Sequence, residues 1–322
     1  MSIPREYGPI LDAVRGLTWP ARRRVSGTHT GAHLSRLRGR APELSEYRLY
    51  RQGDDPRQLD WKLLARSDRA FTRLSDDRAV HPTWFVIDAS ASMAFPEASH
   101  AKWWMARALA VGIAAVAQRS GDPVGAVIAA ARGLVHVRAR TRADVLVELV
   151  SALGSATPAG AHALAPALLA VPVRARLVVV SDLLGDEEAL RGAAAARAHA
   201  GGDVHVVHVV SRDELEPPPA LALAVDPEDD TIERPLDAAG RAAYRARFAE
   251  WRSATARAWR LAGASYRQVQ AEDDAALVVR GVATGAGRRS GEGDALGDGG
   301  HGGDVRRGGA PLPPLESRLG DR

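Results

Sequence analysis

Short apolar segments alternate with longer helical segments between about residue 82 and residue 283, and this alternation strongly constrains the fold. The segments TWFVID (83–88), ARLVVVSD (175–182) and DVHVVHVV (203–210) are rich in apolar residues, and a longer segment follows each of the first two before the next strand. Strands that alternate with helices are typical of a parallel sheet with helices packed against it. We therefore predict an α/β domain with a mostly parallel sheet over residues 79–283.

Local patterns predict the other elements of this domain. Residues 101–120 are apolar nearly all round, which predicts a buried helix. Segments 123–130 and 133–140 are two strands with a short link at Gly133, which favours a hairpin. Further helices are expected over 141–153, 186–200, 238–262 and 273–283, and a further strand over 265–270.

The composition excludes several classes of protein. The chain contains no cysteine, which excludes a disulfide framework, a thiolate metal site and a cysteine nucleophile. The N-terminal residues show no basic region followed by an apolar core, so we expect no signal peptide. The apolar stretch 108–118 is too short to cross a bilayer. We therefore expect a soluble, cytoplasmic protein without a membrane span.

The two ends of the chain differ from its middle. The first 40 residues contain eight arginines and two acids, and we interpret residues 1–25 as a basic N-terminal arm. Binding of nucleic acid through this arm stays an alternative, although no aromatic residues interrupt ARRRV to stack on bases. Residues 284–322 contain 12 glycines, which predicts a disordered tail.

Residues 43–66, ELSEYRLYRQGDDPRQLDWKLLAR, form a second dense segment. Asp55 followed by Pro56 has the order of an N-cap and a proline at the first helical position, and Gln58 can complete a capping box. This order predicts the start of a short helix. The side chains expected to anchor it to the main domain are Leu59, Trp61 and Leu63.

Two predicted strands end in an aspartate, Asp88 and Asp182, and Ser90 and Ser92 follow the first of them. Parallel α/β sheets bind ligands at the carboxyl ends of their strands, where we expect Asp88 to lie at the surface. If the two strands are neighbours, the carboxylates and hydroxyls form a set of hard oxygen ligands that suits Mg²⁺. The alternative is that Asp88 caps the next turn and the serines bind loop amides.

Both segments resemble known families. DASASM (88–93), followed by a helix, and VVVSD (178–182) resemble the metal-ion-dependent adhesion site of von Willebrand factor type A domains. YRQGDDPRQLDWKLLAR (50–66) resembles the signature of the bacterial domain-of-unknown-function family fifty-eight, whose members contain such a domain. The signature residues that agree are Gly53, Asp54, Asp55, Arg57, Asp60, Trp61, Ala65 and Arg66. The resemblance covers residues 26–283 and implies a doubly wound fold, with residues 26–78 packed on the main domain.

The resemblance also implies a function. It implies a non-enzymatic adaptor that works with a MoxR-type AAA+ ATPase in the assembly or maturation of client proteins, with a Mg²⁺ ion that can accept a carboxylate from the partner. Such domains usually supply a threonine from a loop between the two aspartates. The corresponding loop here is TPAGAHAL (157–164), which has Ala161 and His162 where the threonine is expected.

An enzyme is the competing interpretation, as a metal-dependent hydrolase or phosphotransferase that uses Asp88. The haloacid dehalogenase type needs an acid two residues later as general acid, and this chain has Ser90 there. Lys102, which with Lys62 is one of only two lysines, precedes a buried helix, which argues against a phosphate-binding lysine. No Gly-x-x-x-x-Gly-Lys loop is present. We therefore expect a binding protein without enzymatic activity.

Overall fold

The computed structural model of the chain describes residues 3–19, 30–39, 46–50, 59, 61–67, 69–79, 81–185, 187–219, 223–225 and 233–284. The strands in these ranges are β1 (Thr30–Gly39), β2 (Glu46–Leu49), β3 (Phe71–Ala79), β4 (Thr83–Asp88), β5 (Val124–Ala130), β6 (Gly133–Arg140), β7 (Arg176–Ser181), β8 (Asp203–Val210), β9 (Leu223–Val225), β10 (Glu233–Pro235) and β11 (Ser265–Gln270). The α-helices are α1 (Gly8–Ala13), α2 (Trp61–Ser67), α3 (Ala101–Arg119), α4 (Asp144–Ser155), α5 (Ala165–Leu169), α6 (Glu187–His199), α7 (Arg212–Leu215), α8 (Ala238–Leu261) and α9 (Ala275–Thr284).

Six strands form the main sheet, in the order β11-β8-β7-β4-β5-β6. All neighbours are parallel except β5 and β6, which form the expected antiparallel hairpin. The chain leaves β4 towards one edge of the sheet and returns on the other side of β4 to form β7. The mixed α/β fold with a mostly parallel sheet is therefore confirmed, and the carboxyl ends of β4 and β7 lie side by side.

Helices cover both faces of this sheet. Successive residues of a strand point to opposite faces, so each central strand contributes side chains to the apolar layers on both sides. Phe85 and Ile87 of β4 belong to one buried apolar cluster, which also contains residues of α1, α3, α4 and α9. Val86 lies in a second cluster, with residues of α5 and α6 and with Trp259 of α8. Two covered faces explain why the central strands consist almost entirely of buried apolar residues.

The helix α3 is buried nearly all round, as its composition predicts. Its outer side is covered by the N-terminal segment and by α9, and Gly112 lies close to side chains of both, Ile10 and Val279. Tyr7 and Val14 of the N-terminal segment are fully buried. The side chain of Arg119 on α3 donates to the carbonyl of Val14.

Residues 3–19 are therefore packed into the fold, where apolar side chains of this segment help to cover α3. The arginines at positions 22–24 lie outside the described residues, as does the tail from residue 285 onward. The division into the segments 1–25, 26–78, 79–283 and 284–322 stays a prediction. None of the helices in the described ranges combines the length and the apolar composition that a bilayer crossing requires.

Within residues 26–78, the described strands form a three-stranded antiparallel sheet in the order β1-β3-β2. The helix α2 begins at Trp61, and the side chain of this residue is 65% exposed. The expectation that Trp61 anchors the helix to the main domain is therefore wrong, and Arg66 of the signature is exposed as well. The other signature residues with predicted roles lie outside the described ranges: Gly53, Asp54, Asp55, Arg57 and Asp60.

Candidate functional site

The carboxyl ends of β4 and β7 meet through the side chain of Asp88. Asp88 is the last residue of β4, and Ser181 is the last residue of the neighbouring β7. The Ser181 hydroxyl donates to Asp88 Oδ2 over 2.6 Å, and the backbone N–H of Ser90 donates to Asp88 Oδ1 over 2.9 Å. Both oxygens of this carboxylate therefore accept a hydrogen bond from the protein itself.

The two predicted serines lie in the loop that follows β4. The hydroxyls of Ser90 and Ser92 are 3.0 Å apart and share a hydrogen bond. Ser92 also approaches Asp182, the residue directly after β7. The structure therefore brings together all four side chains that the sequence singled out.

All four side chains are buried, with 5% exposure for Asp88, 4% for Ser90 and 2% each for Ser92 and Asp182. The expectation that Asp88 lies at the surface is therefore wrong, because the neighbouring loops close over the strand ends. The proposed turn-capping role of Asp88 has a counterpart in its bond from the Ser90 N–H. Whether the four residues bind a metal ion stays a prediction.

A lysine that was not among the predicted site residues lies at the centre of the site. Lys102 is the second residue of α3 and is fully buried. Its ammonium nitrogen Nζ donates to Asp182 Oδ2 over 2.6 Å and to Glu214 Oε1 over 2.7 Å. Its place ahead of a buried helix argued against a phosphate-binding lysine, and in the fold this position brings the ammonium to the carboxylates of Asp182 and Glu214.

Glu214 reaches Lys102 from the end of a third strand, β8. Ser211 follows β8 and forms a capping box with Glu214 at the start of α7. The Ser211 N–H donates to Glu214 Oε2 over 2.6 Å, which leaves Oε1 for the lysine. The Ser211 hydroxyl donates to Glu272, just after β11. An acidic residue therefore lies at or just after the carboxyl end of each of four adjacent strands: Asp88 of β4, Asp182 after β7, Glu214 after β8 and Glu272 after β11.

The charges of this cluster shift the pKa values of its members. Burial and the nearby charge of Asp182 raise the pKa of Asp88. Burial acts on Asp182 in the same direction, but the charge and hydrogen bond of Lys102 outweigh it and lower the pKa of Asp182. Burial likewise opposes the charge on Lys102, but its two carboxylates raise the pKa of this ammonium. Lys102 and Asp182 therefore form a buried ion pair.

The loop 157–164, in which the sequence resemblance places a threonine that this chain lacks, packs against the serine loop. The Ala91 N–H donates to the carbonyl of Gly160 over 2.8 Å. Asp88, Ser90 and His162 line a cavity of about 10 Å³ between the two loops. A cavity of this size has room for about one water molecule.

The donor atoms, as arranged, do not fit a divalent ion. Mg²⁺ requires about six oxygens in octahedral positions at about 2.0–2.1 Å. The ammonium of Lys102 already takes Asp182 Oδ2, and positions 161 and 162 offer no hydroxyl. In the part of the chain that the structure describes, no group of three or more His, Asp or Glu side chains is arranged to hold a metal ion.

The comparisons with known proteins identify the family. A family model described as "Protein of unknown function DUF58" matches residues 46–257. The chain belongs to the DUF58 family. Two relatives named only as uncharacterized proteins, from Mycobacterium tuberculosis and Mycobacterium bovis, are 31% identical to this DUF58 chain over 284 residues. The match covers 84% of this chain and 88% of each relative.

Solved structures of low sequence identity are also similar to this DUF58 protein. A conserved hypothetical protein BatB from Bacteroides thetaiotaomicron is 16% identical with a TM-score of 0.40, covering 62% of this chain and 95% of its own. An aerotolerance-related membrane protein from Bacteroides fragilis is 18% identical with a TM-score of 0.40, covering 63% and 97%. Likenesses of this degree say nothing about function.

Two residues of the site of this DUF58 protein, Lys102 and Glu214, are not among those that the sequence predicts. One of only two lysines in the chain, at the start of an otherwise apolar helix, is a signal that could have pointed to Lys102. The order Ser-Arg-Asp-Glu at 211–214 is a recognisable capping box. It explains the start of α7, but nothing local in it indicates a contact with Lys102.

Proposed function

We propose that this DUF58 protein is a non-enzymatic protein-interaction module, an adaptor that works with a MoxR-type AAA+ ATPase in the assembly or maturation of client proteins. Its main domain is, in this proposal, of the von Willebrand factor type A kind, and the partner binds at the carboxyl edge of the main sheet. The encounter takes place in the cytoplasm, where an ATPase of this class finds ATP.

The observation that carries the proposal is the closed strand-end edge. Its acids and hydroxyls bind each other, and the cavity between the loops measures only about 10 Å³. Sites for small substrates usually measure about 300–1,000 Å³. An edge of this kind is preformed and closed, with no room for a small substrate between its loops, which favours contact with a macromolecule.

The von Willebrand factor type A assignment draws on the placement of the motif. Asp88 and the two serines lie where the strand order reverses, at the junction between β4 and β7. Ligand sites of open α/β sheets lie at such points. The choice of a MoxR-type ATPase as partner rests on the family resemblance alone.

The edge strand β6 supports a role in protein binding independently of the strand-end site. β6 is the last strand of the main sheet, and its residues Leu134 and Val135 are exposed. An open groove of about 1050 Å³ lies between β6 and α4. Edge strands with exposed apolar side chains are common docking surfaces for other chains.

The test is a binding measurement between this protein and the purified MoxR-type ATPase of the same organism. His162→Ala removes the half-buried side chain that lines the cavity, and we expect it to weaken binding by about tenfold or more, equivalent to about 1.4 kcal/mol. His199→Ala is the matched control, because His199 is exposed on α6. Equal affinities for wild type and His162→Ala would contradict binding at this edge.

The same preparations test the absence of enzymatic activity. We expect no phosphatase, esterase or ATPase turnover from the isolated protein, because the site has no substrate-sized opening. Asp88→Asn is the decisive variant, with Asp144→Asn on the exposed start of α4 as its control. A turnover that Asp88→Asn abolishes and Asp144→Asn leaves unchanged would favour the hydrolase or phosphotransferase instead.

A further inference from the structure

We propose that the resident cation of the strand-end site is the ammonium group of Lys102, and that it excludes a divalent metal ion from this site. The inference does not depend on the identity of the partner or on the proposed adaptor function. It rests on the atoms that surround Asp182 and on the position of Lys102 at the start of α3.

The first argument is the geometry of the lysine contacts. Lys102 Nζ lies 2.6 Å from Asp182 Oδ2 and 2.7 Å from Glu214 Oε1. The first distance is slightly shorter than the usual range for charge-assisted hydrogen bonds, and the second lies at the short end of that range. The ammonium therefore binds carboxylates from the ends of β7 and β8, as a cation held at the edge of the sheet would.

The burial of Lys102 fixes its ammonium group beside these carboxylates. Its side chain is fully buried, and the ring of Phe95 lies 5.9 Å from its ammonium. It leaves the first turn of α3, a helix that is itself held in the core on nearly all sides. A divalent ion that took Asp182 would therefore meet an adjacent ammonium that cannot swing into solvent.

The third argument concerns the remaining oxygens. Both oxygens of Asp88 accept hydrogen bonds from the protein, and the hydroxyls of Ser90 and Ser92 bind each other. The loop 157–164 adds no hydroxyl at positions 161 and 162. The carboxylates and hydroxyls of this site thus have hydrogen-bond partners without a metal. A divalent ion would have to break these bonds and displace Lys102 from Asp182.

With Lys102 as the resident cation, a partner would not bind through a metal ion. A bound Mg²⁺ would retain positive charge and accept a carboxylate from the partner. A buried ammonium that is already paired with two carboxylates presents no open coordination position. For this DUF58 protein, binding of any partner at the edge is therefore expected to be insensitive to EDTA.

The first experiment measures the wild-type protein directly. After treatment with EDTA, Mg²⁺ is titrated by calorimetry, and Mn²⁺ is added while the amide resonances of residues 88–92 are followed by NMR. We expect no saturable heat from this site and no selective paramagnetic broadening of these resonances. Saturable Mg²⁺ binding accompanied by selective broadening of residues 88–92 would overturn the proposal.

The second experiment removes the ammonium. Lys102→Met keeps a long unbranched side chain, and a folded variant should gain Mg²⁺ and Mn²⁺ affinity of about tenfold or more over wild type. Arg191→Met is the control, because it removes a positive charge from a half-buried pair with Glu187 on α6. A folded Lys102→Met variant that binds no more metal than wild type would show that the lysine is not what excludes the ion. If the variant does not fold, the wild-type titration decides alone.

Failure of this inference and failure of the proposed function give different results. Metal binding is measured on the isolated protein, whereas the adaptor function is measured with the ATPase present. A wild-type protein that binds Mg²⁺ at residues 88–92 and also binds the ATPase contradicts only the assignment of Lys102. A protein that binds neither contradicts only the adaptor function.

Discussion

Replacing Lys102 by methionine should destabilise the fold far more than removing the half-buried Arg191. The substitution removes an ammonium that is 0% exposed and lies 2.6 Å from an Asp182 side chain that is 2% exposed. Methionine is similar in length to the lysine stem, so the loss of packing should stay below about 1.5 kcal/mol. The main effect is the buried charge that Asp182 is left with.

Two routes lead to a similar magnitude for this effect. Removing one partner of a buried ion pair typically costs about 3–5 kcal/mol. If Asp182 instead takes up a proton, neutralising a carboxyl of ordinary pKa near 3.9 at pH 7 costs about 4 kcal/mol. We therefore expect the free energy of unfolding to fall by about 3–5 kcal/mol at pH 7, a large part of the total stability of most domains.

The assay is urea unfolding followed by circular dichroism, with Arg191→Met as the control. Arg191 pairs with Glu187 over 3.1 Å on α6 and is only half-buried, so its loss should cost less than about 1 kcal/mol. A decrease for Lys102→Met that is no larger than that of Arg191→Met would refute the buried ion pair.

The pH dependence gives a second check on the same variant. In the wild type the pKa of Asp182 is lowered, so its stabilising effect is present near neutral pH and is lost as the pH falls through that lowered pKa. In Lys102→Met, burial without the ammonium should raise the pKa of Asp182. The native variant then takes up a proton more readily than its unfolded state as the pH falls. The difference in stability between wild type and variant should therefore shrink from pH 7 towards acid pH, and a constant difference would contradict this reasoning.

Three further predictions concern residues outside the ion pair. Burial lowers the pKa of His208 to about 3, so the unfolded state binds a proton that the native state does not between about pH 6.5 and pH 3. His208→Gln should therefore abolish about 2–3 kcal/mol of the stability loss between about pH 6.5 and pH 4.5, measured by urea unfolding; parallel pH profiles for wild type and variant would contradict this. Gly112→Ala places a methyl group against Val279 and 2.8 Å from Ile10 Cγ2, and it should lower the free energy of unfolding by about 1–3 kcal/mol. Gly154→Ala in α4 meets open space and should be neutral or stabilise by up to about 1 kcal/mol, so equal effects of the two glycine variants would count against the packing of α3.

Much of the main sheet and its helices could be predicted because the patterns that specify them are local. The helix predicted over 238–262 is observed as Ala238–Leu261, and the strand predicted over 203–210 has the observed bounds. The strand 203–210, which is rich in valine, and the apolar helix 101–120 indicate buried elements, and the strand is fully buried while the helix is buried on nearly all sides. Trp61 was misjudged because an aromatic residue beside leucines favours a buried anchor, whereas burial depends on which surface the helix meets.

The N-terminal segment shows what composition leaves open. Its arginines suggested a basic arm, yet Tyr7, Val14 and Trp19 are buried. Apolar residues outnumber charged ones between positions 3 and 19, but the surfaces that cover them, such as α3 beside Val14 and Arg176 beside Trp19, become visible only in the fold. Charge counts describe what a segment exposes, and packing depends on the residues between the charges.

The sequence by itself determined that two strands end in Asp88 and Asp182 with serines beside them. A strand and the polar residues at its end are adjacent in the sequence, so a local pattern is enough to predict them. Only the tertiary structure decided which cation faces those acids. Lys102 is separated by 80 residues from Asp182 and by 112 from Glu214, and their contact depends on the order of β4, β7 and β8 and on the position of α3. No local pattern encodes a meeting of three strand ends with one helix, because strand order is set by how the whole sheet packs.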